Sequence, residues 1–176
     1  RILFLIISFF LFDFSFELFA EKFKTIQTIY GLFEIDSPVI SDLIDCDVMQ
    51  RIKKVDQYGL PKCKSFSRYD HSIGVWALLK RFGASIEEQI AGLLHDVSHT
   101  VFSHVGDKVF KCAEKKDSYQ DDIHLWYLEQ TNVIDILNRY GISLDALDHK
   151  SSDYKLLEQE LPDICIDRLE YNLRGG

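Results

Sequence analysis

The stretch "GLLHDVSHTVFSHVGD" at 92–107 carries His95, Asp96, His99, His104 and Asp107, half of the chain's six histidines and two carboxylates in sixteen residues. One buried histidine is ordinary in a helix, but packing does not call for all five groups together. On a helix His95 and His99 stand one turn apart on one face, and Asp96 lies close enough to His95 at a helix end for both to reach a single ion. Two ligands do not enclose an ion, and a usual site takes about four, so others must come from distant segments. His71 in "RYDHS" and Asp167 in "ICIDRLEY" are polar residues set among apolar ones, where inward-facing ligands would be found. Taken singly, Asp167 reads as a surface carboxylate and His71 as a helix cap. Only their combination with His95, Asp96, His99 and His104 is improbable as accident.

These residues need a scaffold. At 176 residues and 47% hydrophobic, the chain suits one domain that buries roughly two-thirds of its unfolded surface. No Pro/Gly/Ser-rich linker, internal repeat or low-complexity tract divides it. A formal net charge of -8 argues against general nucleic-acid binding, which needs a positive field. Charge is uneven, however: between Arg51 and Arg68 six basic residues (Arg51, Lys53, Lys54, Lys62, Lys64, Arg68) face one acid, Asp56. Such a segment either attracts a small anionic ligand or forms a solvated face. Cys46, Cys63, Cys112 and Cys165 form no C-x-x-C pair and read as buried free thiols.

The N-terminal "RILFLIISFFLF" is one Arg followed by eleven residues that are apolar except for Ser8. That is short for a membrane span, which needs about 20 residues, and suits the apolar part of a secretory signal. Residues 1–20 are therefore expected to be a targeting segment, with Ala20 as the cleavage point, and 21–176 the folded domain. No stable membrane span is expected. The first residue is Arg rather than Met and "LRGG" closes the chain straight after a helical pattern, so a fragment truncated at its C-terminus is expected.

Helical periodicity dominates what remains. "DSPVISDLIDCDVMQRIKKV" repeats apolar residues at helical spacing, with Ser37 as cap and Pro38 in the first turn. "QYGLPKCKSFSRY" reads as a loop that delivers Arg68 to the helix "DHSIGVWALLKRF", which Gly83 stops. Ser85, Glu87 and Glu88 open the helix "SIEEQIAGLLHDV" that runs into the histidine cluster. "DDIHLWYLEQTNVIDILNRY" and "LPDICIDRLEYNLR" are also helical, the second with Pro162 near its start. "YGLFEI" is the best strand candidate and needs a partner outside these helices. The expected fold is all-α with at most a short N-terminal β element.

"RYDHSIGV", "GLLHDVSHTVFSH" and "DRLEYNLR" resemble the signature of the HD-domain metal-dependent phosphohydrolases: a His, a His-Asp doublet and a distant Asp. More narrowly, they resemble the branch containing the deoxynucleoside triphosphate triphosphohydrolases. The upstream "IYGLFEIDSPVISDLIDCDVMQRIKKVDQYG" resembles that branch's entry segment, so the similarity runs from Ile29 to Arg174. It implies an HD-domain helical bundle in which His71, His95, Asp96 and Asp167 hold one divalent ion, with Mn, Fe, Ni, Zn and Mg all compatible. It implies that Arg68 grips a phosphate and that Arg168 is a second basic phosphate contact. Gln57 and Tyr171 would meet the sugar. His104 would donate a proton to the leaving oxygen, oriented by Asp107, while His99 and His124 line the phosphate path. A cytoplasmic location follows from the resemblance, and export if 1–20 is a signal. A homo-oligomer stays open.

The chain departs from the branch at three points. Gly175 follows Arg174 where Asp often reads the sugar hydroxyl, Leu125 follows His124 where Glu is common, and only 43 positions separate His124 from Asp167. The expected function is metal-dependent hydrolysis of a nucleotide, with (deoxy)nucleoside triphosphate cleavage to nucleoside and triphosphate as its narrower form. The alternatives are a hydrolase of another phosphoester, such as a nucleoside monophosphate or a signalling nucleotide, and a non-catalytic nucleotide-binding module.

Overall fold

The computed structural model describes residues 24–58, 66–102 and 119–175. The expected targeting segment 1–20, the proton-donor pair His104 and Asp107, and Lys62, Lys64, Cys63 and Cys112 lie outside the described residues. Among those described, seven α-helices, one 3-10 helix and one two-stranded hairpin form the fold, an all-α architecture with a short N-terminal β element. No helix among them is long and apolar enough to cross a membrane.

The strand candidate is real. Gly31–Ile35 (β2) pairs antiparallel with Lys24–Thr28 (β1), Lys24 opposite Ile35. Alternation buries Phe33 and Ile35, and the ring of Phe33 meets that of Trp76 at 6.1 Å. The hairpin is latched to the helix below it: Lys80 Nζ donates to Asp36 Oδ1 at 2.6 Å and to the Glu34 carbonyl at 2.7 Å.

Where the sequence suggests one helix after Ser37, there are two, Pro38–Asp45 (α1) and Asp47–Ile52 (α2). Cys46 adopts an extended backbone between them, ending one helix and capping the next. Ser37 holds the cap position of α1 without a side-chain bond; Pro38 at the first turn presets the backbone instead. Arg68–Arg81 (α3) starts earlier than its apolar pattern because Ser67 and Asp70 form a reciprocal capping box. Gly83 ends it at φ 77°.

Ile86–Leu94 (α4) is capped by Ser85 as expected. It crosses α3 closely at Gly92, where a Cβ would overlap Leu79 and fall 3.2 Å from Val75 and Leu157. Tyr119–Glu129 (α5) and Val133–Arg139 (α6) replace the single helix expected from "DDIHLWYLEQTNVIDILNRY". Thr131 separates them: its hydroxyl donates to the Leu128 carbonyl at 2.7 Å and accepts from the Val133 amide at 3.3 Å, competing with helix continuation. A 3-10 helix, Leu144–Leu147, packs on α4.

Ile166–Gly175 (α7) starts after Pro162 rather than at it. A relay through a buried carboxylate sets its first turn. Glu88 on α4 accepts the amides of Leu156 and Leu157 at 2.7 and 3.0 Å, and their carbonyls in turn accept the amides of Ile166 and Asp167 at 2.7 and 3.3 Å. Glu88, which as a sequence feature looks like a first-turn acid only, thus positions Asp167. The main core gathers Trp76, Met49, Ile52, Leu93 and Leu94 under the hairpin, each at 1% exposure or less. Burying each such side chain contributes roughly 1.5–3 kcal/mol. A smaller core joins α3, α4 and α7 through Val75, Leu79, Ala91 and Ile166. Cys46 and Cys165 are buried free thiols.

Candidate metal centre

The histidine cluster begins where α4 stops. His95 is the C-cap of α4, and the residues after it form turns: the amide of Val97 donates to Leu94 and that of His99 to Asp96, at 3.1 and 3.2 Å. His95 and His99 are therefore not neighbours on a helix face; a folded turn brings both to Asp96 instead. Arg51 of α2 pins that turn, with Nη2 donating to the carbonyls of Val97 at 2.5 Å and His99 at 2.9 Å. One cation of the basic segment is thus a structural clamp rather than an open anion contact.

Three donor atoms converge on one point. His71 from α3, His95 from the end of α4 and Asp167 from α7 each offer a ligand atom, all within 4.8 Å of one another. Asp167 Oδ1 lies 2.8 Å from His71 Nε2 and 3.5 Å from His95 Nε2. The fourth expected ligand, Asp96, flanks the group, its carboxylate oxygens 4.0 Å from His71 Nε2 and 3.6 Å from His95 Nε2. It is held by Arg68 Nη1 at 2.7 Å and by His99 Nε2 at 3.2 Å. Arg68, 1% exposed, also donates to the Gln57 carbonyl at 3.2 Å. Its guanidinium is therefore the counter-ion of Asp96 as well as a wall of the cavity.

The donor set fits a divalent ion. His95 Nδ1 lies 2.7 Å from the Gly92 carbonyl, a contact it can make only as the N–H donor. Nε2 is buried and makes no close hydrogen bond among the described residues, its nearest carboxylate oxygens, Asp167 Oδ1 and Asp96 Oδ1, standing 3.5 and 3.6 Å away. Buried polar atoms are rarely left so without a ligand. His71 shows the complementary arrangement, with Nδ1 2.5 Å from Glu170 Oε2 and Nε2 turned to Asp167. Two imidazoles with carboxylates suit a borderline divalent metal.

Charge reinforces this. Burial opposes ionisation of Asp96 and Asp167, yet Arg68, His95 and His99 hold Asp96 well below the usual carboxylate range, and the hydrogen bond with His71 and the nearby His95 hold Asp167 below it too. Burial likewise opposes a charged His95, but Asp96 and Asp167 push it up to about 10. The carboxylates of this wall thus favour positive charge at its centre.

The centre opens into a cavity of about 560 Å³, within the range of small-molecule sites. Of the residues expected around a substrate, Gln57, Arg68, His99, Arg168 and Tyr171 line it. Arg168 is anchored on Glu158 Oε1 at 2.7 Å and on the Gln159 and Asp163 carbonyls. His124 stands behind the described lining, its Nδ1 3.1 Å from Ser98 Oγ and its ring 5.1 Å from that of His149. His149 and Lys150 form the opposite wall with Gln120 and Asp121, and Lys150 Nζ is 3.0 Å from Asp121 Oδ2. Tyr58 fills the space a side chain at 175 would need: a Cβ there would overlap its hydroxyl and lie 3.4 Å from Cζ.

Sequence reading missed Glu170, Gly74, His149, Lys150 and Tyr58. A helical offset marks the first two, since Gly74 follows His71 by three positions and Glu170 follows Asp167 by three, so each shares its ligand's face. His149 and Lys150 sit in irregular chain after the 3-10 helix, where no period marks them.

Residues 68–153 match the HD domain. The chain is 43% identical over 83% of its length to the uncharacterized protein YdhJ of Bacillus subtilis, covering 45% of that protein. It is 35% identical over 84% of its length to the metal-dependent phosphohydrolase cns2 of Cordyceps militaris, covering 43% of it. Similarity at 36% identity over 74% of the chain extends to the deoxynucleoside triphosphate triphosphohydrolase SAMHD1 homolog of Dictyostelium discoideum, of which it covers 27%. The chain spans less than half the length of these relatives. Its matched domain, and the His, His-Asp and Asp positions gathered around one cavity, agree: the chain carries an HD domain.

Proposed function

We propose that the chain carries the catalytic centre of a metal-dependent phosphohydrolase acting on a nucleotide, with His71, His95, Asp96 and Asp167 holding one divalent ion. The observation that carries this is the convergence of His71, His95 and Asp167, whose ligand atoms lie within 4.8 Å of one another, with the buried His95 Nε2 making no close hydrogen bond among the described residues. When bound, such an ion supplies Lewis acidity, polarising a phosphoryl oxygen and acidifying a water. Arg68 keeps Asp96 ionised and presents a planar fork at the cavity wall, and Arg168 and Lys150 add positive charge at its rim. His104 donates the proton to the leaving oxygen, with Asp107 orienting it; this pair rests on the family pattern.

The narrower substrate reading is a (deoxy)nucleoside triphosphate, supported by the printed name of the Dictyostelium relative. A broader phosphoester is supported by the Cordyceps relative, whose name specifies no nucleotide. Turnover of nucleoside mono-, di- and triphosphates by metal-loaded protein, with released phosphate species identified by mass, decides between them. Triphosphate release is the expected result. Release of orthophosphate alone selects the broader reading, and tight binding without turnover overturns catalysis.

A further inference from the structure

His71 is held on both ring nitrogens by one helix. Asp167 and Glu170, one turn apart on α7, meet Nε2 at 2.8 Å and Nδ1 at 2.5 Å. Glu170 is fully buried, and its other oxygen accepts from Arg174 Nε at 2.6 Å. Both carboxylate oxygens are thereby assigned, one to the counter-ion and one to His71. The carboxylate reaches this position only because residue 74 lacks a side chain: a Cβ there would overlap Oε1 and lie 2.6 Å from Cδ of Glu170 and 2.8 Å from Nη2 of Arg174. A glycine in a helix interior is destabilising relative to alanine, so its presence in the buried middle of α3 has a cost that this contact explains.

We infer that Glu170 is the positioning residue of the metal centre, accepting the Nδ1 proton of His71 so that Nε2 faces the cavity, and that Gly74 is its obligatory partner on α3. This rests on the metal reading above and adds to it two residues that touch neither ion nor substrate. A carboxylate taking the far N–H of a ligand histidine fixes tautomer and ring orientation and raises ligand basicity. Without Glu170 the ring of His71 is free to turn about its Cβ–Cγ bond, and either nitrogen can then face Asp167. Arg174 alone does not account for the arrangement, since it occupies only Oε1.

The test is a titration of the metal-free full chain with Mn²⁺, together with ¹H–¹⁵N spectra of histidine-labelled protein. Glu170→Ala should weaken Mn²⁺ binding about 10–100-fold and remove the downfield Nδ1 proton of His71. Glu170→Gln, which keeps an acceptor oxygen, should retain that proton and most of the affinity. Gly74→Ala should reproduce Glu170→Ala, and the double variant should bind no more weakly than the worse single one, because both remove the same contact. If Gly74→Ala does not fold, the two Glu170 variants decide. Mn²⁺ binding by folded Glu170→Ala equal to that of the wild-type chain overturns the inference while leaving the metal reading intact, as does full additivity in the double variant. A wild-type chain that takes up no Mn²⁺, yet loses the Nδ1 proton only on removal of Glu170, overturns the metal reading and leaves the anchoring of His71 standing.

Discussion

His95 and His124 are both buried beside the same cavity, yet their surroundings drive them in opposite directions. Around His95 the carboxylates of Asp96 and Asp167 overcome the cost of burial and push the imidazole up to about 10. Around His124, burial acts with the neighbouring His149 and His95 and pushes it down to about 3. His149 is lowered for the same leading reason, burial, with His95 adding to it. One wall is a socket of carboxylates and imidazoles assembled from α3, α4 and α7; the other sets His149 and Gln120, with His124 behind them, beside the Asp121–Lys150 ion pair. Residue type alone therefore does not say what a histidine does here. The two carboxylates beside His95, Asp96 and Asp167, outweigh burial, whereas the one beside His149, Asp121 Oδ1 at 3.8 Å, does not, and this marks the first wall as the place for a cation.

Removing a carboxylate from the His95 side should have the largest effect. Asp167→Asn should abolish ion binding and turnover together, read by metal content and phosphate release, because it takes a charged donor from between two imidazoles. Next in size, His104→Ala should keep the ion and lose ~100-fold or more in turnover, as for a general acid; loss of the ion as well would make His104 a ligand or a support. Arg68→Met should destabilise the metal-free fold by about 3–5 kcal/mol in urea unfolding, since it leaves the buried Asp96 carboxylate without its counter-ion.

The pH dependence of stability gives a finer test, because the two walls contribute with opposite signs. His95 is raised above its ordinary 6.5 in the fold, so its contribution is fully present below pH 6.5 and lost as pH rises through about 10. His124 is lowered to about 3. Between 6.5 and 3 the unfolded chain binds a proton there that the folded chain does not, so stability falls as pH drops through that window. His95→Gln should flatten the alkaline limb of the metal-free chain and His124→Gln the part of the acid limb above pH 4, read by thermal unfolding across pH. The smallest effect concerns sugar choice. With Tyr58 filling the space beside Gly175, a ribonucleotide and its deoxy counterpart should differ only several-fold in kcat/KM; a thousandfold preference would show that other groups read the sugar.

What the sequence discloses and what it hides divide along physical lines. The apolar faces of α1, α3 and α4, the hairpin strand and the four ligand candidates are legible because each is a local pattern or a distinctive residue type. Helix ends at Cys46, Leu94 and Glu129 are not, because backbone turns and side chains such as Thr131 decide them. Glu170, Gly74 and Glu88 act through partners 68 to 99 positions away, a pairing that exists only once α3, α4 and α7 cross. The spacing of three from each ligand was the available sign.

The wall of Asp96 and Asp167, and not the one backed by His124, is the proposed seat of the divalent ion. Calorimetric titration of Mn²⁺ into the wild-type chain, His95→Ala and His124→Ala separates the two. One equivalent should bind to the wild-type chain and to His124→Ala, and none to folded His95→Ala; retention of the ion by His95→Ala, or its loss from folded His124→Ala, would place the ion elsewhere.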